Sequence, residues 1–580
     1  MSRAATGAGA AAAALWTLLC VRWFDAGEPW RGAWVEAIPP ALLAVLLVAA
    51  LGAGLRARRR GRAPSGERLA TFAVGLGAVA FRLPLVVHAA AGYNTADASM
   101  AGMMALRVRD GLAHDVFIPN LAYCGSLKSH LAAPLMAALD PVQSLAAVSV
   151  FFYAAFAVGA YRLAALAAGP RAAAATGLMA VFAPTFVTQY SLSNDGNYVE
   201  LLAFGTWGTL LAVRWVREPG ERRALAWGAG ALLGLGFWCH VLGIVHVAAV
   251  AGILVLGAGL GAARALPRLT AGFALGNLPA LLWNASHDWS TFRYLLPSEF
   301  RGAGQSGTAA GGPVGAAGMS SPDRIAALLT DHGPILFGYD AGYPALLDVL
   351  ARALAWLGLA AALVAGVLAL RESWRARALQ PAGAAALLAS ANVLVVTMAL
   401  PHIPGNPRYL LFSFAASAVL LPWLLTRTAT GRGVLFVLIG FGALGSLSQG
   451  LEKARQDARW RGFVAELEAL GIRRCHSDYY TAARVTFQSG GGIVCSSQLG
   501  PTWTDYFELH RLVADADDPA LIAPNAARAD KVERKLERLG VGSRRVELMR
   551  PVLLPDVAVD PRELFPQQPP AQSSSGSTTR

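Results

Sequence analysis

Runs of about 17 to 25 residues, most of them carrying no charge or one, recur along this chain between short polar stretches, and each can cross about 30 Å of hydrocarbon as a helix. They fall near 4–20, 38–55, 69–90, 142–168, 171–190, 199–216, 224–240, 241–262, 269–285, 344–370, 379–399, 408–426 and 433–449, which makes about thirteen expected spans. The short alternating segments that a transmembrane barrel requires are absent from the pattern. From about Ala454 the hydropathy falls and short elements alternate: a helix around "FVAELEALG", a strand around "IRRCHSD", a helix around "TAARVTFQSG", strands at "GIVCSS" and "ALIAP", and a charged helix at "ADKVERKLERLG". That alternation predicts a small α/β domain following the helical bundle.

The polar stretches between the runs are of two kinds. With the amino terminus placed in the cytoplasm, every inside loop is basic: Arg56 to Arg68, the turn at Arg171, Arg217 to Arg223, Ala263 to Arg268, Arg371 to Arg377 and Arg427 to Arg432. The other side receives Gly92 to Leu135, Ser193 to Tyr198, Ser286 to Tyr343, Pro401 to Asn406 and the chain after Gly450, and its short loops are nearly free of Lys and Arg. One orientation satisfies all the loops together. The run at Ala4 to Cys20 lacks a convincing small-residue cleavage site and is read as a retained span, not a signal peptide.

Composition agrees with the pattern. Hydrophobic residues make up 55% and charged residues 15%, against roughly 25% charged in soluble domains, so the chain reads as an all-α polytopic membrane protein with a small C-terminal α/β domain. The net charge of +13 sits in the short basic loops and gives no soluble basic face for nucleic acid. The division expected is 1–68, two N-terminal helices and a basic loop; 69–449, the membrane core with outer loops 91–141 and 286–343; 450–565, an extracytoplasmic domain; and 566–580, a disordered tail. Within the second outer loop, Arg301 to Ser321 is rich in Gly, Ala and Ser and reads as a mobile lid or a linker. Of five cysteines, Cys475 and Cys495 lie in two expected strands, free to pair in an oxidising compartment or to remain core thiols. No spacing suggests a structural metal.

The long loop from Gly92 is too patterned for a connector. Met100, Met103, Met104 and Val108 recur at helical spacing while Asp97, Arg107, Arg109 and Asp110 take other faces, which predicts a helix lying flat at the membrane surface, capped by Thr95 or Asp97 and ended by Gly111. The order of segments "AFRLPLVVHA", "TADASMAGMMALRVRDGL" and "YCGSLKSHLAAPL" resembles the first outer loop of the GT-C superfamily of polytopic glycosyltransferases, relatives of protein O-mannosyltransferases and lipid A aminoarabinose transferases. "NYVELLAFGTWGTLLAVRW", "GLGFWCHVLGIVHV", "GNLPALLWNASHDWSTFRYL", "PRYLLFSFAASAVLLPWLL" and "DYYTAARVTFQSGGGIV" resemble later segments of the same group, in the same order.

The resemblance implies a transferase that moves a sugar from a polyprenyl-phosphate donor to a lipid, glycan or protein acceptor on the outer face of a bacterial inner membrane, with Asp97 at the position of the general base. A phosphate-linked sugar carries its own leaving group, so one carboxylate and cationic groups suffice. Arg82, Tyr123, Lys128, Asp195, Glu200, Arg408 and Tyr409 are the candidate substrate contacts. Four of these have a plainer reading: Arg82 snorkels, Asp195 sits in an Asp-Gly turn, Lys128 faces solvent, and Arg408 anchors to head groups. Ala98 and Lys128 stand where relatives often carry glutamate, which weakens a protein metal site and leaves a divalent cation only possible. A transporter or flippase would show internal repeats, and none is evident; an inactive scaffold is the other alternative.

Overall fold

The computed structural model describes residues 66–112, 115–119, 121–193, 195–218, 222–293, 321–339, 345–399, 407–497, 507–517, 519–557, 559 and 564. The spans expected at 4–20 and 38–55, the Gly/Ala/Ser-rich segment, the loop at 401–406 and the tail at 566–580 lie outside these residues.

Seven helices among the described residues are long and apolar enough to cross a membrane. The first, α1 (Gly66–Tyr93), packs against α4 (Pro141–Val181). Helix α4 is interrupted at Gly169, whose φ of 76° lies outside the helical region, with Pro170 next. The Tyr153 hydroxyl donates to the Ala180 carbonyl at 2.7 Å, although 27 residues of straight helix would separate them by about 40 Å. The chain therefore reverses at the Gly-Pro pair, where the basic turn at Arg171 was expected. Arg82 holds this corner together. It is fully buried, donates to Ser191 Oγ at 2.6 Å and to the Val181 carbonyl at 3.1 Å, and lies 3.7 Å from the centre of the Tyr153 ring.

The bundle continues through α5 (Thr185–Tyr190), α6 (Tyr198–Arg217), α7 (Arg222–Cys239) and α8 (Ile244–Ala258). The run expected at 269–285 is two pieces, α9 (Leu266–Gly276) and α10 (Leu278–Ala285), parted at Asn277. Then come α11 (Ala345–Arg375), α12 (Pro381–Ala399) and α13 (Leu411–Leu425). The last span belongs to a much longer helix, α14 (Ala429–Ala469), whose polar second half includes the helix expected at "FVAELEALG".

Between α1 and α4 lie α2 (Ala96–Arg109), a hairpin of β1 (Phe117–Ile118) and β2 (Leu121–Gly125), and α3 (Leu127–Ala132). Helix α2 departs from the expected surface helix. Ala96 and every residue from Ala98 to Leu106 are buried, because α2 packs against α3 and α4 and also beneath a helix of the C-terminal region.

That region contains β3 (Arg474–His476), α15 (Tyr479–Gln488), β4 (Val494–Ser496), α16 (Phe507–Ala514), β5 (Ala520–Ile522), α17 (Ala526–Arg538), β6 (Ser543–Glu547) and β7 (Pro551–Pro555). The sheet order is β4-β3-β5-β7-β6, parallel for β4, β3 and β5 and antiparallel at β7 and β6. Neighbouring register places Cys475 opposite Cys495 with Cα atoms 4.4 Å apart, and the two form a disulfide. The half-cystines are 20 residues apart, so the loop closed in the unfolded chain is worth roughly 3 kcal/mol. Replacing both by alanine is expected to lower the unfolding temperature of the purified protein, and reductant is expected to lower the wild type equally; a variant that unfolds with the oxidised wild type would remove the bond as a stabilising element.

Candidate active site

The site is assembled from six separate stretches of sequence, around Asp97, Tyr123, Asp195, His240, Arg408 and Tyr479. Thr95 is the N-cap of α2: its hydroxyl accepts from Ala98 N–H at 3.1 Å and donates to the Asp195 carboxylate. With Thr95 capping, Asp97 is free to face other partners. Its Oδ1 accepts from the Tyr479 hydroxyl at 2.8 Å and its Oδ2 from Arg408 at 3.3 Å. The Asp97 side chain keeps 44% of its surface exposed and Arg408 24%, so the carboxylate is held on two sides and open on another.

The floor depends on a strained turn. Gly196 and Asn197 both have positive φ, 59° and 56°; asparagine is among the few residues with a side chain that tolerate this region. The Asn197 amide donates to the Gly125 carbonyl at 2.6 Å, to the Cys239 carbonyl at 3.0 Å and to Cys124 Sγ at 3.3 Å. One side chain thus joins β2, the loop before α6 and the end of α7. Burial pushes the Cys124 thiol up to about 12, so it remains protonated and is no nucleophile.

An aromatic group surrounds the cation. The Arg408 guanidinium lies 5.8 Å from the Tyr198 ring centre and 5.4 Å from that of Tyr409, inside cation–π range. The His240 ring stands 5.4 Å from both Tyr123 and Tyr198.

Of the residues singled out in the sequence, Asp97, Asp195, Arg408, Tyr409 and Tyr123 come together here. Three others do not. The hydrogen bonds of Arg82 go to α1, α4 and the corner after α5. Lys128 neither faces solvent nor pairs with Asp97: its ammonium lies 2.8 Å from Glu200, and both side chains are 1% exposed. Burial pushes the Lys128 ammonium down to about 7, opposed by Cys124, Cys239 and Asp195. Tyr479 was not singled out, although it stands in the quoted "DYYTAARV" segment, directly after the helix cap Asp478. Among the described residues no group of three or more His, Cys, Asp or Glu side chains is gathered to hold a metal ion.

ArnT from Cupriavidus metallidurans bound to undecaprenyl phosphate matches the chain with a TM-score of 0.56 and 12% identity, over 83% of this chain and 97% of that one. The apo state of the same protein matches with a TM-score of 0.54 and 12% identity, over 80% and 93%. At that identity the likeness is one of fold. No protein-family model and no curated protein matches the chain.

Proposed function

We propose that the protein transfers a sugar from a polyprenyl-phosphate donor to an envelope acceptor, which is a lipid, a glycan or a protein. The observation that carries the reading is Asp97, a partly exposed carboxylate held by Arg408 and Tyr479 beside a cluster of tyrosines. Asp97 takes the proton of the acceptor hydroxyl while that oxygen bonds to the anomeric carbon. The bond from this carbon to the phosphate oxygen breaks, and polyprenyl phosphate leaves with the electron pair. Arg408 stabilises the departing charge, and Asp195, Tyr123 and Tyr409 contact the sugar and phosphate. Arg82, Lys128 and Glu200 act as scaffold. The undecaprenyl phosphate bound by the fold relative is consistent with a lipid carrier here. The protein sits in a bacterial inner membrane with residues 450–565 outside, a reading supported by the basic loops on one side and by a disulfide in that region, which suits an oxidising compartment.

The test is reconstitution in liposomes with undecaprenyl-phosphate-linked sugars extracted from native membranes and total envelope material as acceptor. Release of undecaprenyl phosphate with transfer of label is the expected result; donor that crosses the bilayer uncleaved would make the protein a transporter, and no change in the donor would end the reading. Arg408→Gln keeps a polar side chain of similar reach but removes the charge, and is expected to slow release roughly 10²- to 10³-fold. A rate within threefold of wild type would take Arg408 out of the leaving-group role.

A further inference from the structure

The C-terminal region, which follows the last span, sends one side chain into the site. Asp478 caps α15, accepting from Tyr480 N–H at 3.0 Å and Thr481 N–H at 3.2 Å. This fixes Tyr479 as the first residue of the helix, and its hydroxyl reaches Asp97 382 residues earlier in the chain. Helix α15 lies directly on α2 through a close approach at Gly102, where a Cβ would stand 2.4 Å from two ring atoms of the fully buried Phe487. The end of α1 is clamped from the same side: Arg484 donates to the Ala91 carbonyl at 2.7 Å, and Ala91 N–H donates to Asp457 at 2.6 Å.

We infer that Tyr479 is a positioning residue for the proposed reaction: seating of α15 on α2 aims Asp97, and the C-terminal region is therefore a working part of the site. This rests on Asp97 being the base. With the tyrosine hydroxyl on Oδ1 and Arg408 on Oδ2, the carboxylate is held against rotation and its remaining lone pairs face the open side, where an acceptor hydroxyl would sit. Nothing in this role requires Tyr479 to touch the lipid donor.

Tyr479→Phe keeps the ring and removes the hydroxyl. In the liposome assay with extracted undecaprenyl-phosphate-linked sugars, kcat is expected to fall roughly ten- to hundredfold, the loss of one hydrogen bond to a charged group, with KM for the donor unchanged. The exposed neighbour Tyr480→Phe is expected to leave both constants unchanged. Gly102→Ala should reproduce the Tyr479→Phe defect by lifting α15, and Phe487→Ala in the same chain should restore the rate by making room. In a Tyr479→Phe background that rescue should vanish, which a purely structural role would not produce. Wild-type kcat in Tyr479→Phe, while Asp97→Asn is inactive, overturns this inference alone; full activity in Asp97→Asn overturns the reading beneath it. Rescue that persists without the tyrosine hydroxyl would assign Gly102 to packing only.

Discussion

Asp97→Asn is expected to lower kcat about 10³-fold, in the middle of the range that a positioned proton acceptor contributes. The substitution is nearly isosteric. The Tyr479 hydroxyl can still donate to the remaining oxygen, and Thr95 still caps α2, so the fold should be untouched and undecaprenyl phosphate should bind as before. What is lost is the ability to take a proton from the acceptor at the moment its oxygen attacks. The defect should therefore lie in kcat with little change in KM for the donor. An amide nitrogen turned toward Arg408 would repel its donors where Oδ2 now accepts at 3.3 Å, so the measured loss includes some misplacement of the cation. Asp97→Glu separates the two contributions: it restores a carboxylate at the wrong reach and should recover only part of the rate. The measurements are label transfer from extracted undecaprenyl-phosphate-linked sugars and equilibrium binding of undecaprenyl phosphate to the same preparations. An Asn variant within threefold of wild type would show that no carboxylate is needed at this position.

How much of this was legible in the chain depends on the range of the interaction involved. Span positions and the reversal near Arg171 follow from local hydropathy and from Gly169-Pro170, and both can be read in sequence order. Most short elements after Ala454 were legible for the same reason, whereas β6 and β7 were not: "SRRVE" is a charged edge strand without alternation, and "PVLLP" is bracketed by prolines that read as breakers. The pairing of Cys475 with Cys495 depended on register across two parallel strands. Helix α2 has the amphipathic spacing of a surface helix, and its burial on the other faces comes from α3 and α4 together with α15, which lies nearly 400 residues later. Tyr479 escaped notice on the same ground. Its partner is remote, and a tyrosine at a helix start carries no local mark of function.

Lys128→Ala is the other substitution from which a large effect is expected, here on stability. In sequence Lys128 is a lysine in a polar loop; in the folded protein it is sealed with Glu200 at 2.8 Å. No hydrogen-bond donor among the described residues serves either Glu200 oxygen apart from this ammonium contact. Removing the lysine leaves a buried carboxylate uncompensated, which costs about 3–5 kcal/mol in such pairs. Glu200→Gln should cost less, because the two partners have different ways out. The Lys128 ammonium is already pushed down to about 7 by burial, so the amine can shed its proton. From about pH 7 to the unfolded value of 10.5, the unfolded chain binds more protons than the folded one wherever Lys128 is kept, in wild type and in Glu200→Gln alike, so the lysine's contribution to stability rises with pH and is lost again as pH falls. The double change Lys128→Met with Glu200→Gln removes both charges and should recover most of the loss. Detergent-solubilised protein, heated and scored by the fraction remaining monodisperse on size exclusion, gives the comparison. Lys128→Ala should be the least stable at pH 7, and wild type and Glu200→Gln, which keep the lysine, should gain at pH 9 where the two variants lacking it do not. A Lys128→Ala protein as stable as wild type would mean that this pair contributes nothing to holding α3 against α6.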